Sequence, residues 1–172
     1  MNKENHNFNI VKNPLTKKMV HIDTQITELI QLLWKLGIRT NNSCENNIPT
    51  NYIWIEFTHS IDATIFLNII GKYIYKSKAQ KYEENDLYQR IKRPEDEPPN
   101  QWLFSCNLLD YSEQIINDET TMNRKFKGFE ITISIRFPQE DYSTVVKALQ
   151  EKIKTVNSVT FKSLQNNFLL CL

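Results

Sequence analysis

Apolar residues at Ile26, Leu29, Ile30, Leu33 and Leu36 recur at helical spacing and predict a first helix. Asp23 or Thr24 stands where a cap would accept the orphan amide hydrogens, and Glu28 suits the positive end. Gly37 follows as the left-handed residue that stops the helix. Residues 38–51, rich in Asn, Ser, Thr and Pro, predict a loop. The pattern then switches to alternation: Ile53, Ile55 and Phe57 face one way, Tyr52, Trp54 and Glu56 the other. A second helix opens at Ser60 and carries Ile65, Phe66, Ile69, Ile70, Tyr73 and Ile74. Trp102 to Leu109 reads as a strand, and Asp110 to Gly128 as a long polar link. Phe129, Ile131, Ile133, Ile135 and Phe137 alternate with Glu130, Thr132, Ser134 and Arg136, which predicts a strand with one buried and one wet face. Pro138 opens a third helix with Tyr142, Val145, Val146, Leu149 and Ile153 on its core side. The last fifteen residues are apolar enough to dock on the body.

This order predicts an α+β fold, a two-layer α/β sandwich whose mixed, largely antiparallel sheet carries about three helices on one face. Residues 1–17 read as a polar N-terminal arm. Residues 18–172 read as a single domain with a flexible, charged and Pro-rich excursion at 76–100. No repeat is visible in the sequence.

Composition narrows the function classes. The 172 residues carry a formal net charge of +1, so no whole-molecule field draws the chain to nucleic acid or anionic lipid. No apolar run approaches the roughly 20 residues of a membrane span, and the polar start does not resemble a signal peptide. Cys44, Cys106 and Cys171 are an odd number at wide spacings, which predicts free thiols in a reducing, cytoplasmic setting. Lys supplies 16 of the 21 basic residues and Asn and Ile are abundant, the signature of an AT-rich genome.

Two stretches carry candidate chemistry. In the first, Ser43-Cys44-Glu45-Asn46 lies between two rigid elements, the setting in which loops build sites. Cys44 is a candidate nucleophile if His21 or His59 acts as its base and Asp23 or Glu45 orients that base. Otherwise Cys44 fills space, and Ser43, Glu45 and Asn46 form a ligand-binding loop. His21, Asp23, Cys44, His59 and Cys106 lack any zinc-type spacing, so no metal is expected, and no cofactor motif occurs. In the second stretch, residues 72–93, Lys72, Lys76, Lys78, Lys81, Arg90, Lys92 and Arg93 interleave with Tyr73, Tyr75, Tyr82 and Tyr88. Cations for phosphates beside rings for bases compose a single-strand binding surface, with Lys76, Lys78, Lys81 and Tyr82 as its centre.

The segment Gly37-Ile-Arg-Thr-Asn-Asn-Ser-Cys-Glu-Asn-Asn-Ile-Pro49, followed by Trp54-Ile-Glu-Phe57, resembles an uncharacterised group of small phage, bacterial and large-virus proteins. That group carries a similar Gly-Ile-x-Thr-x-x-Ser-Cys-Glu-[Asp/Asn]-Asn-x-Pro string and then a Trp-Ile-x-Phe strand. The likeness covers about residues 20–60 and brings no established activity. A looser likeness, Thr-x-x-Ser-Cys after a helix, is to the tRNA-modifying wybutosine-synthesis methyltransferase-like proteins, whose following Gly-Arg this chain lacks.

The sequence therefore leaves the function unknown. It favours a small, soluble accessory protein that acts by binding a protein or nucleic acid, in a host cytoplasm if it is viral. A thiol-dependent enzyme at Cys44 and a single-strand binder through residues 72–93 are the alternatives.

Overall fold

Strand β4 (Tyr52–Phe57) is buried at Ile53, Ile55 and Phe57, and the rest of the molecule is assembled around it. A computed structural model of the chain describes residues 7–47, 49–77, 86–92, 101–118 and 121–169; for 77, 86, 88, 92, 109–118, 121–127, 130 and 158–169 the description is of the backbone. The remaining elements are β1 (Phe8–Lys12), β2 (Met19–Asp23), α1 (Thr27–Lys35), β3 (Thr40–Asn47), α2 (Ser60–Ser77), α3 (Asp86–Lys92), β5 (Leu103–Asp118), β6 (Thr121–Pro138) and α4 (Tyr142–Leu169). Strands β3-β4-β6-β5 form one antiparallel sheet, in that order, and β1-β2 a separate hairpin. The fold is α+β, as expected, with every described strand pair antiparallel.

The connectivity contains a symmetry that the sequence hides. Hairpin β3–β4 leads into α2, and hairpin β5–β6 leads into α4, while the inner strands β4 and β6 pair antiparallel. Two hairpin–helix units thus face each other across the centre of the sheet. Phe66, Ile69, Ile70 and Ile74 of α2, Val145, Val146 and Leu149 of α4, and Leu29, Ile30 and Leu33 of α1 join the β4 and β6 side chains in one core. Fully burying each such side chain stabilises the fold by about 1.5–3 kcal/mol.

Helix α1 ends as its sequence dictates. Gly37 has φ +77°, its amide bonds back to Trp34 O, and the Ile38 amide bonds to Leu33 O at 3.0 Å. This pair of bonds satisfies the last carbonyls and carries Ile38 into the core, where it is fully buried. Its beginning departs from expectation. Neither Asp23 nor Thr24 caps the 3-10 turn Thr24–Ile26 that precedes α1. The Gln25 amide instead donates to the Glu45 carboxylate at 2.8 Å, and the Glu45 amide donates to Asp23 Oδ2 at 2.9 Å. The cap is supplied from twenty positions further along the chain.

Three further expectations are corrected. Residues 8–17 are not an arm: 8–12 pair with 19–23 in β1–β2, and Asn13 Oδ1 holds the turn by accepting from the Leu15 amide at 2.8 Å. Within 38–51, residues 40–47 are an edge strand, because pairing with β4 supplies the backbone bonds that this polar sequence does not advertise. The polar link 110–128 continues β5 and β6, paired from Asp110↔Phe129 out to Asp118↔Thr121. Within the stretch 76–100, α3 buries Leu87, and Arg90 O accepts from the Trp102 amide. Residues 78–85, 93–100 and Cys171 lie outside the described residues.

The alternation of β6 holds over only half its length. Ile135 and Phe137 are buried and Ile133 packs partly against the core, but Phe129 and Ile131 are 65% and 57% exposed. The helix layer covers the sheet near β4 and stops short of this outer end. Thr132 and Ser134, on the face expected to be wet, are the buried residues there.

Candidate functional site

The tetrapeptide Ser43-Cys44-Glu45-Asn46 lies in β3, where the pairing with β4 shifts register between Cys44 and Asn47, and its side chains meet different surroundings. Ser43 and His21 line a cleft of about 470 Å³ between the β1–β2 turn, Trp34 and β3. Glu45 faces a separate pocket of about 200 Å³, whose walls are Gln25, Gln139 and Tyr142 and whose floor is Ile26 and Ile53. Asn46 Oδ1 accepts from the Asn51 amide at 3.0 Å and so closes the β3–β4 turn. Asn51 there adopts φ +67°. Asn42 Oδ1 likewise accepts from the Ser43 amide at 2.9 Å, so the Asn42 and Asn46 side chains satisfy local backbone, as their chemistry suggests.

Cys44 is half-buried. Burial pushes its thiol up from the ordinary value, and the neighbouring Asp23 pushes it further; hydrogen bonds with Asn46 and Asn47 act in the opposite direction. A nucleophilic cysteine needs the reverse, a cation or base that favours the thiolate. Neither His21 nor His59 is among the groups that act on it. His21 is exposed and stacks on Phe8 at 4.6 Å, and His59 Nδ1 lies 2.7 Å from Thr58 O. Asp23, expected to orient a histidine, instead receives the Glu45 amide.

Glu45 is the built residue of this segment. It is 8% exposed, its carboxylate is fixed by the Gln25 amide, and its carbonyl accepts from Gln139 Nε2 at 2.6 Å. Burial and, to a lesser degree, Glu28 raise the Tyr142 hydroxyl above its usual value, so it remains a neutral phenol at physiological pH. The pocket is thus lined by one glutamate, two glutamines and one tyrosine above an apolar floor, with Gln139 Nε2 engaged by the Glu45 carbonyl and the Tyr142 hydroxyl by the Leu29 backbone. The sequence points to Glu45 but not to Gln25, Gln139 and Tyr142, which come from the 3-10 turn Thr24–Ile26, the 3-10 turn Gln139–Asp141 and the start of α4. No local spacing could have found them.

A second polar assembly lies on the sheet face turned away from the helices. Thr132 Oγ1 donates to Glu56 Oε1 at 2.9 Å, and Asn107 Nδ2 donates to the same oxygen at 3.3 Å. Arg136 donates from Nε to Asn47 Oδ1 and from Nη1 to Ser105 Oγ, with its guanidinium 5.8 Å from the Trp54 ring centre. Ser134 Oγ in turn shares a hydrogen bond of 2.7 Å with Ser105 Oγ, so both Thr132 and Ser134 are paired where they are buried, as buried polar groups must be.

Of the expected nucleic-acid patch, Lys76 is described and Lys78, Lys81 and Tyr82 are not. Lys76 lines a groove of about 340 Å³ between α2 and α4, together with Lys72, Tyr73 and Lys152. Arg90 belongs elsewhere, bonded to Asp141 and to Glu140 at 3.1 Å. Among the described residues no three His, Cys, Asp or Glu side chains gather as a metal site, and no helix is long and apolar enough to cross a membrane.

No family model matches the chain, and no solved structure matches it. The chain is similar to an uncharacterized protein of Acanthamoeba polyphaga mimivirus, with 29% identity over 152 residues, covering 87% of this chain and 72% of that protein.

Proposed function

We propose that the protein acts by binding, and that the pocket of Gln25, Glu45, Gln139 and Tyr142 receives a small cationic group such as an amine or guanidinium. The observation that carries this reading is the Glu45 carboxylate, buried and held in place at the wall of a cavity of about 200 Å³. A carboxylate with few waters around it attracts a cation more strongly than one in bulk solvent. The amide oxygens of Gln25 and Gln139, and the remaining lone pair of the Tyr142 hydroxyl, are acceptors that a cation with several N–H groups can use. The raised Cys44 thiol supports binding over thiol chemistry. The similarity to a mimivirus protein supports a viral accessory role and, with it, action in a host cytoplasm.

Calorimetric titration with arginine, agmatine and methylammonium tests the reading. At least one should bind saturably, and Glu45→Gln should weaken it tenfold or more. Tyr142→Phe keeps the packing and removes one hydroxyl, so it should weaken binding without unfolding the protein. Absence of saturable binding, or binding indifferent to both changes, refutes the assignment.

A further inference from the structure

Lys72 and Lys76 lie one helical turn apart on α2, and Lys152 reaches the same groove from α4. All three are exposed, and none is paired with a carboxylate among the described residues. Glu151 also lines the groove, so three positive charges stand against one negative in a chain whose net charge is only +1. The floor is apolar: Ile69 and Ala148 are 8% and 2% exposed, and the half-buried ring of Tyr73 forms part of the wall.

We infer that this groove binds single-stranded nucleic acid, with Lys72, Lys76 and Lys152 on the phosphates and the Tyr73 and Ile69 surface against a base. Residues i and i+4 of a helix sit about 5–6 Å apart at Cβ, so Lys72 and Lys76 present their charges in a row along the groove. Lysines neutralise phosphates by releasing counterions, a term that is independent of sequence. An aromatic ring beside that row accepts any base, because every base has a π-face. A duplex keeps its bases stacked on one another and has no unstacked face to offer Tyr73, which favours the single strand. The site shares no residue with the Glu45 pocket, so failure of one leaves the other standing.

The test is fluorescence anisotropy of a labelled oligothymidylate against the full chain between 50 and 200 mM KCl. Three phosphate contacts predict a slope of log K against log[salt] of about −2, a loss of roughly 15–20-fold over that range. The double change Lys72→Glu and Lys152→Glu, on exposed positions, should weaken binding at least tenfold while leaving the melting temperature unchanged. Tyr73→Leu, which retains apolar bulk, should weaken it several-fold, and Glu45→Gln should not affect it. Undetectable binding at 50 mM KCl, a flat salt response, or indifference to the lysine changes overturns the inference. Equal affinity for a duplex of the same length, with Tyr73→Leu silent, also overturns it, since the groove would then be a general polyanion surface.

Discussion

Replacing Asp141 by Ala removes the acceptor shared by a buried donor, Trp102, and a half-buried one, Arg90. Asp141 is 4% exposed at the junction of β6 and α4; Trp102 Nε1 donates to one of its oxygens at 2.9 Å and Arg90 Nη2 to the other. Trp102 is fully buried and stacks on Phe137 and Phe66 at 4.9 and 6.1 Å, so its indole N–H has no route to water once the carboxylate is gone. An orphaned buried donor costs about 1–3 kcal/mol. Removing one partner of a buried ion pair costs about 3–5 kcal/mol, and the exposed Glu140, still 3.1 Å from Arg90, holds the sum near that range. Asp141→Ala should therefore cost about 3–5 kcal/mol, a large share of a typical stability of about 5–15 kcal/mol. Asp141→Asn keeps an oxygen for Trp102 and should cost about 1–3 kcal/mol. Urea unfolding followed by tryptophan fluorescence measures both.

The pH dependence adds a signed test. Burial raises the Asp141 carboxyl above its ordinary value, outweighing the Trp102 hydrogen bond and the Arg90 charge. The folded state therefore holds this proton more tightly than the unfolded state. The resulting stabilisation is full below the unfolded value, about 3.9, and is lost as pH rises through the folded value. Asn does not titrate, so the advantage of the parent protein over Asp141→Asn should shrink across that window. An advantage that grows with pH, or an Asp141→Ala protein within about 0.5 kcal/mol of its parent, refutes the reasoning.

Thr132→Asp places a second carboxylate against Glu56 on a fully buried site and should cost about 3 kcal/mol or more, whereas Thr132→Val loses one hydrogen bond, about 1 kcal/mol, both readable as melting temperatures. Phe129→Ser and Ile131→Thr, on the uncovered end of β6, should stay within about 0.5 kcal/mol, while Ile135→Ala should cost about 2–5 kcal/mol in the same assay. Iodoacetamide at neutral pH should label the exposed Cys106 before Cys44, whose thiol is held protonated by burial and by Asp23; peptide masses showing the opposite order would restore the nucleophile reading.

Much of the helix layer was legible because its signals are local. Ile26 to Leu36 with Gly37 defines α1, and Tyr142 to Ile153 defines the packed face of α4 without tertiary information. The strands were legible only where burial enforces alternation, as in Ile53, Ile55 and Phe57. Strand β3 was invisible because Thr40 to Asn47 has an edge strand's freedom to be polar, and its order comes from β4. The outer end of β6 kept its alternation after the helices had ceased to cover it, so Phe129 and Ile131 read as core and are not. At the candidate site, the sequence indicated Ser43 to Asn46 but not that Glu45 is turned inward. That inward turn depends on a reciprocal bond with the segment at Asp23 and Gln25, and such a bond leaves no periodic trace.

The pairing of β4 with β6 has a consequence for how quickly the chain reaches this structure. Strands β3 and β4, and likewise β5 and β6, are neighbours in sequence, so each hairpin closes over a short loop and forms on the microsecond scale. The seam between them joins Ile55 to Ile135, 80 positions further along the chain. Closing that span costs entropy before any contact across it is gained, and such non-local contacts govern folding rates. Assembly of the sheet is therefore expected to be limited by this one seam, with both hairpins already present and waiting for each other. Conservative truncation at Ile135 should then appear mainly as slower refolding, not as faster unfolding.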